Sequence, residues 1–467
     1  MKSKKLQEKL RLHFPFTATT EQDERITNIA DFVSTIGNRS IFILKGYAGT
    51  GKTTLVSTLV KSLPILGKRS VLMAPTGRAA KVLSKYSKKS ASTIHKKIYW
   101  IRTNKSGNTF IKLKENTHSN TIFIVDEASM IPENLDKGFG NRSLLNDLIE
   151  YVYEGSDCKL ILIGDTAQLP PVHLDMSPAL DEKKLEKNYN KQVICKELSQ
   201  VVRQKEGSLI LENATNLRNR ISNADYSYPK LVTNTEVVRL NTGEELQDAL
   251  ESSYSNEGVN CTIVLCRSNK RANLYNQQIR AKIRWQENEI SAGDKLMVVR
   301  NNYYWLNDSS KAGFIANGDI VEIVKIKEKI ERYGFRFAKA SIQMVDYPNE
   351  KELDVILLLD TLTSESPAIT YEQYKQLYKE VGLDYKGAKE INKKIKEDEF
   401  FNALQIKFAY AITCHKSQGG QWENVFVDLG YFTEDMLDKS YLRWMYTALT
   451  RASKKLYLIN FKENFFN

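Results

Sequence analysis

The residues best equipped for chemistry are scattered along the chain and stand out by type and spacing. Gly46-Tyr-Ala-Gly-Thr-Gly51-Lys52-Thr53 follows an apolar run and precedes a helical pattern. Glycines so spaced let backbone N–H groups wrap phosphates at a helix N-terminus. In such a loop Lys52 reaches the β- and γ-phosphates and Thr53 ligates Mg2+. Asp126-Glu127 closes another apolar run. The first carboxylate suits Mg2+, directly or through water, and the second suits a general base towards an attacking water. Gln168, at a further strand tip, is placed to hydrogen-bond the γ-phosphate or that water. Arg203 and Arg451 lie beyond this region and are candidates to stabilise transition-state charge. The set points to nucleoside triphosphate hydrolysis. A guanine-specific switch would carry Asn-Lys-x-Asp, and Asn269-Lys270-Arg271-Ala272 lacks the Asp.

A second concentration of reactive types is Thr413-Cys-His-Lys-Ser-Gln-Gly-Gly-Gln-Trp422. Its thiol has no evident orienting base and acid. One Cys and one His are too few ligands for a structural metal. The stretch reads instead as a strand-end loop offering polar groups to ligands.

These residues need elements to hold them. Short β-rich runs, each ending in a polar or glycine tip, occur at residues 40–44, 70–73, 121–125 and 160–163, with helical pattern between them. Such runs suit parallel strands buried on both faces, whose carboxyl ends carry the ligands. The pattern recurs at 262–265, 408–412, 425–427 and 455–459, predicting a second α/β lobe. It is interrupted from 293 to 400, first by antiparallel β runs (320–326, 336–345, 353–359) that fit a small barrel. A polar, helical stretch, 371–400, follows and is read as mainly a solvated surface. Residues 99–112 predict a hairpin with a Gly107-Asn108 turn.

The chain of 467 residues carries a net charge of +12, with 42% hydrophobic and 27% charged residues. That balance belongs to a globular protein, and the longest apolar runs are strand-sized, so no membrane span is expected. No apolar stretch follows the basic N-terminus, so no secretory signal is expected. The five cysteines form no C-x-x-C pair, which suggests a reducing, cytoplasmic setting. Between Asp31 and Glu115 there is no acidic residue, and that window holds 17 Lys and Arg. So localised a positive field favours a polyanion, nucleic acid above all.

Taken in order, several stretches resemble the successive motifs of superfamily 1 helicases. They are Gly46–Thr54, Ala74-Pro-Thr-Gly-Arg-Ala-Ala80, Ser92-Thr-Ile-His95, Asp126-Glu-Ala-Ser-Met130 and Gly164-Asp-Thr-Ala-Gln-Leu-Pro-Pro-Val172. Gln200-Val-Val-Arg-Gln204, Thr413–Gly420 and Tyr446-Thr-Ala-Leu-Thr-Arg-Ala452 continue the series. The resemblance is greatest to the RecD and Dda branch, which runs 5′ to 3′, and the length is that of a compact Dda-type enzyme.

The resemblance implies two RecA-like P-loop lobes, 1–98 with 116–200 and 201–292 with 401–467. A hairpin pin (99–115) would be inserted in the first, and an SH3-like barrel with a helical insert (293–400) in the second. It implies ATP and Mg2+ as cofactors, with the nucleotide against Gln22 (which would read adenine), Gly46, Ala48, Gly49, Thr50, Gly51, Lys52, Thr53, Thr54, Gln418 and Gly419. Single-stranded DNA would lie along Thr76, Arg78, His95, Thr413, His415 and Lys416. Phe110 would be the strand-separating wedge, with Trp100 or Tyr99 as alternatives. Arg203 and Arg451 would meet the γ-phosphate. Gln421 departs from the family, which often has an acid there.

The implied activity is ATP-driven translocation on single-stranded DNA and unwinding at single/double-strand junctions. The protein would work as a monomer, with replication or recombination proteins as conceivable partners. The alternatives are the motor subunit of a recombination or nuclease complex, an RNA helicase, and an ATP-gated binding module that does not unwind.

Overall fold

The computed structural model describes the chain except residues 1, 38–39, 104–108, 134, 137–141, 202–207, 307–309, 311–313, 389 and 467. Two parallel sheets form the framework. The first has six strands in the order Gln192–Leu198, Ser40–Gly46, Lys159–Gly164, Thr121–Val125, Arg69–Ala74, Ala91–Thr93, all parallel. Its central strands are apolar through their middles, and both faces are covered. One face packs Ile41, Ile43, Phe123 and Leu162 against Leu148 and Val152 of the helix Leu144–Glu154. The other packs Phe42, Leu44, Ile124 and Ile161 against Ile26 and Ile29 of Thr20–Ser34 and Leu55 and Leu59 of Lys52–Ser62. Alternate residues of each strand thus feed separate cores, which is why these strands read as continuous apolar runs.

The second sheet has five strands in the order Val237–Leu240, Ala452–Ile459, Trp422–Asp428, Thr262–Cys266, Ala411–Thr413. Each sheet, with the helices against it, forms one α/β lobe. Between the strands Thr262–Cys266 and Ala411–Thr413 the chain leaves to build a closed five-stranded barrel from Lys295–Val298, Ile320–Arg332, Phe335–Met344, Leu353–Leu358 and Leu404–Phe408. The lobe and barrel share a core in which Val264 and Phe426 join Leu296, Ile342 and Leu357.

Three expectations need correction. The run 408–412 is not one strand. Phe408 ends the last barrel strand, paired with Leu296, and after a break Ala411–Thr413 joins the lobe sheet. The barrel therefore draws on residues beyond 400. Continuous hydrophobicity hid the break because both pieces are buried. Secondly, the stretch 371–400 is more than a solvated surface. The helices Tyr371–Asp384 and Ile391–Glu397 bury Leu377, Val381 and Ile395 against Phe337, Ile356, Leu358 and Phe400 on the outside of the barrel. Thirdly, three edge strands (Ala91–Thr93, Gln192–Leu198 and Val237–Leu240) were not expected, because they are short or alternate with polar residues.

The hairpin pairs Tyr99–Thr103 with Thr109–Leu113, in the register Tyr99 to Leu113 through Thr103 to Thr109. Its expected Gly107-Asn108 turn lies outside the described residues. Among the described residues, no helix is long and apolar enough to cross a membrane.

Candidate nucleotide and nucleic-acid site

The carboxyl end of Ser40–Gly46 turns straight into the glycine loop. Gly49 and Gly51 have φ of 79° and 91°, left-handed values that a side chain would strain. A Cβ on Gly51 would also lie 2.6 Å from Gln22 Nε2. The Gln22 amide itself donates to Thr50 O at 3.1 Å, so the residue expected to read the base already grips the loop.

The helix Lys52–Ser62 begins at Gly51 with no side-chain cap. By contrast, Thr76, Thr93, Ser268 and Asp438 each cap the helix they precede. Uncapped N–H groups at a helix start are donors in search of an anion. Lys52 Nζ bonds the carbonyls of Gly46 (2.6 Å) and Tyr47 (2.7 Å), folding back over the hollow that the glycines form. Thr53 and Thr54 follow, half-buried. The residues present therefore fit a triphosphate.

The acidic pair lies at the neighbouring strand end. Asp126 Oδ1 accepts the N–H of Glu127 at 2.9 Å. Glu127 has φ 53°, a left-handed conformation that costs a non-glycine residue about 1–3 kcal/mol. Burial, and then the adjoining Asp126 charge, raise its pKa to about 7, while Arg451 and Lys52 oppose the rise. Asp126 is also raised, by burial. Among the described residues no cluster of three metal-ligating side chains exists. The Thr53 hydroxyl and the Asp126 carboxylate nonetheless fit Mg2+, which usually takes one or two protein ligands beside phosphates and water.

The second lobe meets this site at several points. Tyr446 Oη accepts the N–H of Ala48 at 2.8 Å and donates to Asp165 Oδ2 at 2.7 Å. Thr447 Oγ1 accepts Leu169 N–H (2.8 Å), and Gln418 Nε2 donates to Leu169 O (2.7 Å). Ala167 and Leu169 of the first lobe sit in the apolar core of the second. Between them Gln168 is buried, and its Oε1 has no hydrogen-bond partner among the described residues, which leaves one polar atom there open to a ligand. Arg451 is 4% exposed and bonds Thr447 O at 3.0 Å, Gly420 O at 3.2 Å and Thr450 Oγ1 at 3.2 Å. Arg203 lies outside the described residues.

The loop 413–420 spans the seam. Cys414 is buried and its pKa is pushed up to about 12, so it holds its proton, in line with the inert reading of the thiol. Gly419 has φ 74°, and a Cβ there would fall 2.7 Å from Ala79 Cβ; one on Gly420 would fall 2.8 Å from Arg78 Nε. Arg78 stacks on Trp422 at 3.9 Å, and burial pulls its pKa down to about 10. Thr76 caps its own helix through Ala79 N–H (3.2 Å). Lys416 Nζ bonds Asn317 Oδ1 of the barrel, and His415 is exposed. Thr413 is half-buried and Gln421 exposed.

The structure thus brings Thr76, Arg78 and Lys416 to the junction of lobes and barrel. His95 lies apart, on the short helix below the hairpin, its ring 5.9 Å from that of Tyr99. Phe110 is in a described strand, but its side chain is outside the described residues.

Sequence reasoning assigned no role to Tyr446, Asp165 or Trp422, though all three fall within or beside quoted stretches. It also passed over Glu21, whose carboxylate bonds Ser199 N (2.9 Å), Ser199 Oγ (2.9 Å) and Gln200 N (2.8 Å) at the approach to Arg203.

Residues 19–227 match the family model of an AAA domain, and residues 408–459 match that of the UvrD-like helicase C-terminal domain. An uncharacterised protein of Acanthamoeba polyphaga mimivirus is 24% identical over 94% of this chain and 98% of its own length. The ATP-dependent DNA helicase dda of Enterobacteria phage T4 is 27% identical over 64% of each chain. The ATP-dependent DNA helicase Pif1 of Campylobacter jejuni is 24% identical over 88% of this chain and 86% of its own.

Proposed function

We infer that this chain, a superfamily 1 helicase of the Pif1, RecD and Dda type, couples ATP hydrolysis to movement along single-stranded DNA, 5′ to 3′, and unwinds the duplex it meets. One observation carries the reading. Tyr446 of the second lobe bonds the glycine loop of the first at Ala48 N–H (2.8 Å) and the first-lobe carboxylate of Asp165 (2.7 Å), and the charges of Lys52 and Arg451, one from each lobe, both act on Glu127. Hydrolysis is thereby tied to the relative position of the lobes, which is what a motor needs.

In this reading the Gln22 amide faces adenine and the backbone from Gly46 to Thr54 wraps the phosphates. Lys52 leaves the Gly46 and Tyr47 carbonyls for phosphate oxygens. Thr53 and Asp126 would hold Mg2+, which when bound neutralises β- and γ-phosphate charge. Glu127, with a pKa near neutrality, accepts the proton of the attacking water. Gln168 Oε1 orients that water. Arg451 exchanges its carbonyl partners for the γ-phosphate, and Arg203 joins it there. Because Arg451 holds Gly420 O, its exchange also moves the loop bearing Thr413, His415 and Lys416. Those three grip the strand from the second lobe, and Thr76, Arg78 and His95 from the first. Phe110 at the hairpin parts the duplex.

The test is unwinding of duplexes carrying only a 5′ or only a 3′ single-stranded tail. The expected result is ATP-dependent unwinding of the 5′-tailed substrate alone, with Lys52→Ala abolishing both ATP turnover and unwinding. Unwinding from the 3′ tail would overturn the direction. Equal stimulation of ATP turnover by single-stranded RNA would overturn the preference for DNA. Nucleotide binding without turnover would leave only a gated binding module.

A further inference from the structure

The acid-free early segment contributes few of its cations to the ATP site, and the rest collect elsewhere. At the amino end of the strand Arg69–Ala74 lies a shallow depression of about 460 Å³ lined by Lys68, Arg69, Ser70, Lys89 and His118, with Pro64, Gly67 and Val71. The depression continues into the base of the hairpin. Lys97 Nζ lies 2.7 Å from His118 Nε2, and the hairpin is closed below its first pair by Lys114 N–H donating to Ile98 O at 2.7 Å. Lys114 Nζ bonds Lys96 O (2.7 Å) and lies 4.8 Å from the Trp100 ring centroid, which is half-exposed.

The nearby acids are few. Asp157 pairs with Lys68 at 2.7 Å, Glu154 accepts Asn116 N–H at 2.8 Å, Glu350 approaches Lys96, and Glu115 lies beside Lys114 in the chain. Arg69, Lys89, Lys97 and Lys114 have no carboxylate partner among the ion pairs of the described residues. Crowding is evident in the titration of the group. Lys114 is lowered by burial and then by Lys97 and Lys96, and His118 by burial and then by Lys97 and Arg69. Like charges held together without counter-acids gain most from a polyanion that neutralises them.

Location selects the polyanion. The strand Arg69–Ala74 has six residues, so its two ends are about 17 Å apart. Thr76, on the proposed single-strand track, follows its carboxyl end, and the depression lies at the other. The hairpin base stands beside the depression. The one aromatic ring that lines the depression, His118, packs at right angles to Phe123 at 5.5 Å, and at the hairpin base Lys114 Nζ lies over a face of Trp100 at 4.8 Å. Single-strand grooves combine cations with stacking platforms, whereas a duplex presents only backbone phosphates to a surface of lysines and arginines.

We propose that the depression of Arg69 and Lys89, with Lys97 and Lys114 at the hairpin base, is a docking surface for the phosphates of the duplex arm still ahead of the hairpin. The proposal rests on the helicase reading and adds to it a grip on the unopened duplex. Such a grip presents the junction squarely to the pin and needs no sequence preference.

The test is binding of the whole protein to a forked duplex and to a single strand across a salt series. The variants are Arg69→Gln with Lys89→Gln and, separately, Arg69→Glu with Lys89→Glu; both residues lie outside the ATP site and the single-strand track. Loss of two duplex phosphate contacts should reduce the slope of log affinity against log salt by about 1.8 on the fork. The slope on the single strand, and strand-stimulated ATP turnover, should not change. An unchanged fork slope would overturn the proposal, and so would an equal fall on both substrates, which would place these cations on the single-strand track. Wild-type protein that gripped forks through these residues but showed no strand-stimulated turnover would support the surface while overturning the motor reading.

Discussion

Glu127 departs from an ordinary carboxylate twice, in backbone and in charge. Its φ of 53° is left-handed, and burial, then the Asp126 charge, raise its pKa to about 7. A carboxyl raised in the fold stays protonated where the unfolded chain has already ionised. Its stabilising contribution is therefore full below about 4.5 and is lost as pH rises through about 7. Nucleotide-free protein should lose stability from pH 5 to pH 8, and Glu127→Gln should flatten that decline. Denaturant titrations at several pH values check this, and parallel curves for the two proteins would refute it. The same variant should keep nucleotide binding while turnover falls about 10²–10⁴-fold, the usual worth of a general base. The spacing of glycines, Lys52 and the Asp126-Glu127 pair was legible in sequence because their chemistry is local to one turn. The Tyr446 hydroxyl and the Arg78–Trp422 stack were not, because they exist only where distant segments meet.

At the scale of elements, strands buried on both faces announced themselves, and half-exposed edge strands did not. The break between Phe408 and Ala411 was invisible because burial continues across it, with Phe408, Tyr410 and Ala411 all in one core. The helix Tyr371–Asp384 looked polar because only Leu377 and Val381 are fully buried. The loop 413–420 was readable as a ligand loop, but its glycines gained meaning only with the facing helix. Gly419→Ala should strain the φ 74° backbone by about 1–3 kcal/mol and drive a methyl against Ala79. Both lobes should still fold. Strand-stimulated ATP turnover should fall at least tenfold, with far less effect on basal turnover. Equal loss of both rates would show that the residue matters for folding alone.

Across the whole molecule, the lobes have separate cores and meet through a seam in which Ala167 and Leu169 enter the second lobe's core, Tyr446, Thr447, Gln418 and Arg443 hydrogen-bond across it, and Arg78 stacks on Trp422. Tyr446→Phe keeps the ring and leaves Ala48 N–H and Asp165 Oδ2 short of a partner. A buried polar group so stranded costs about 1–3 kcal/mol. That cost falls on the seam rather than on either core. The variant should show weaker coupling, seen as a smaller effect of single-stranded DNA on the KM for ATP, with circular dichroism unchanged. An unaltered DNA effect would remove Tyr446 from the coupling path. None of this was legible from the chain alone, since no periodicity records how two lobes face each other.

Arg451 is fully occupied by its own lobe, and one of its partners is the carbonyl of Gly420, at the end of the loop proposed to touch the strand. An arginine parked in that way gives up those partners to reach the proposed γ-phosphate, and displacement of the loop takes one of them away. On the proposed roles, idle speed is set by the track: with fuel aboard and nothing underfoot, the engine stays in neutral.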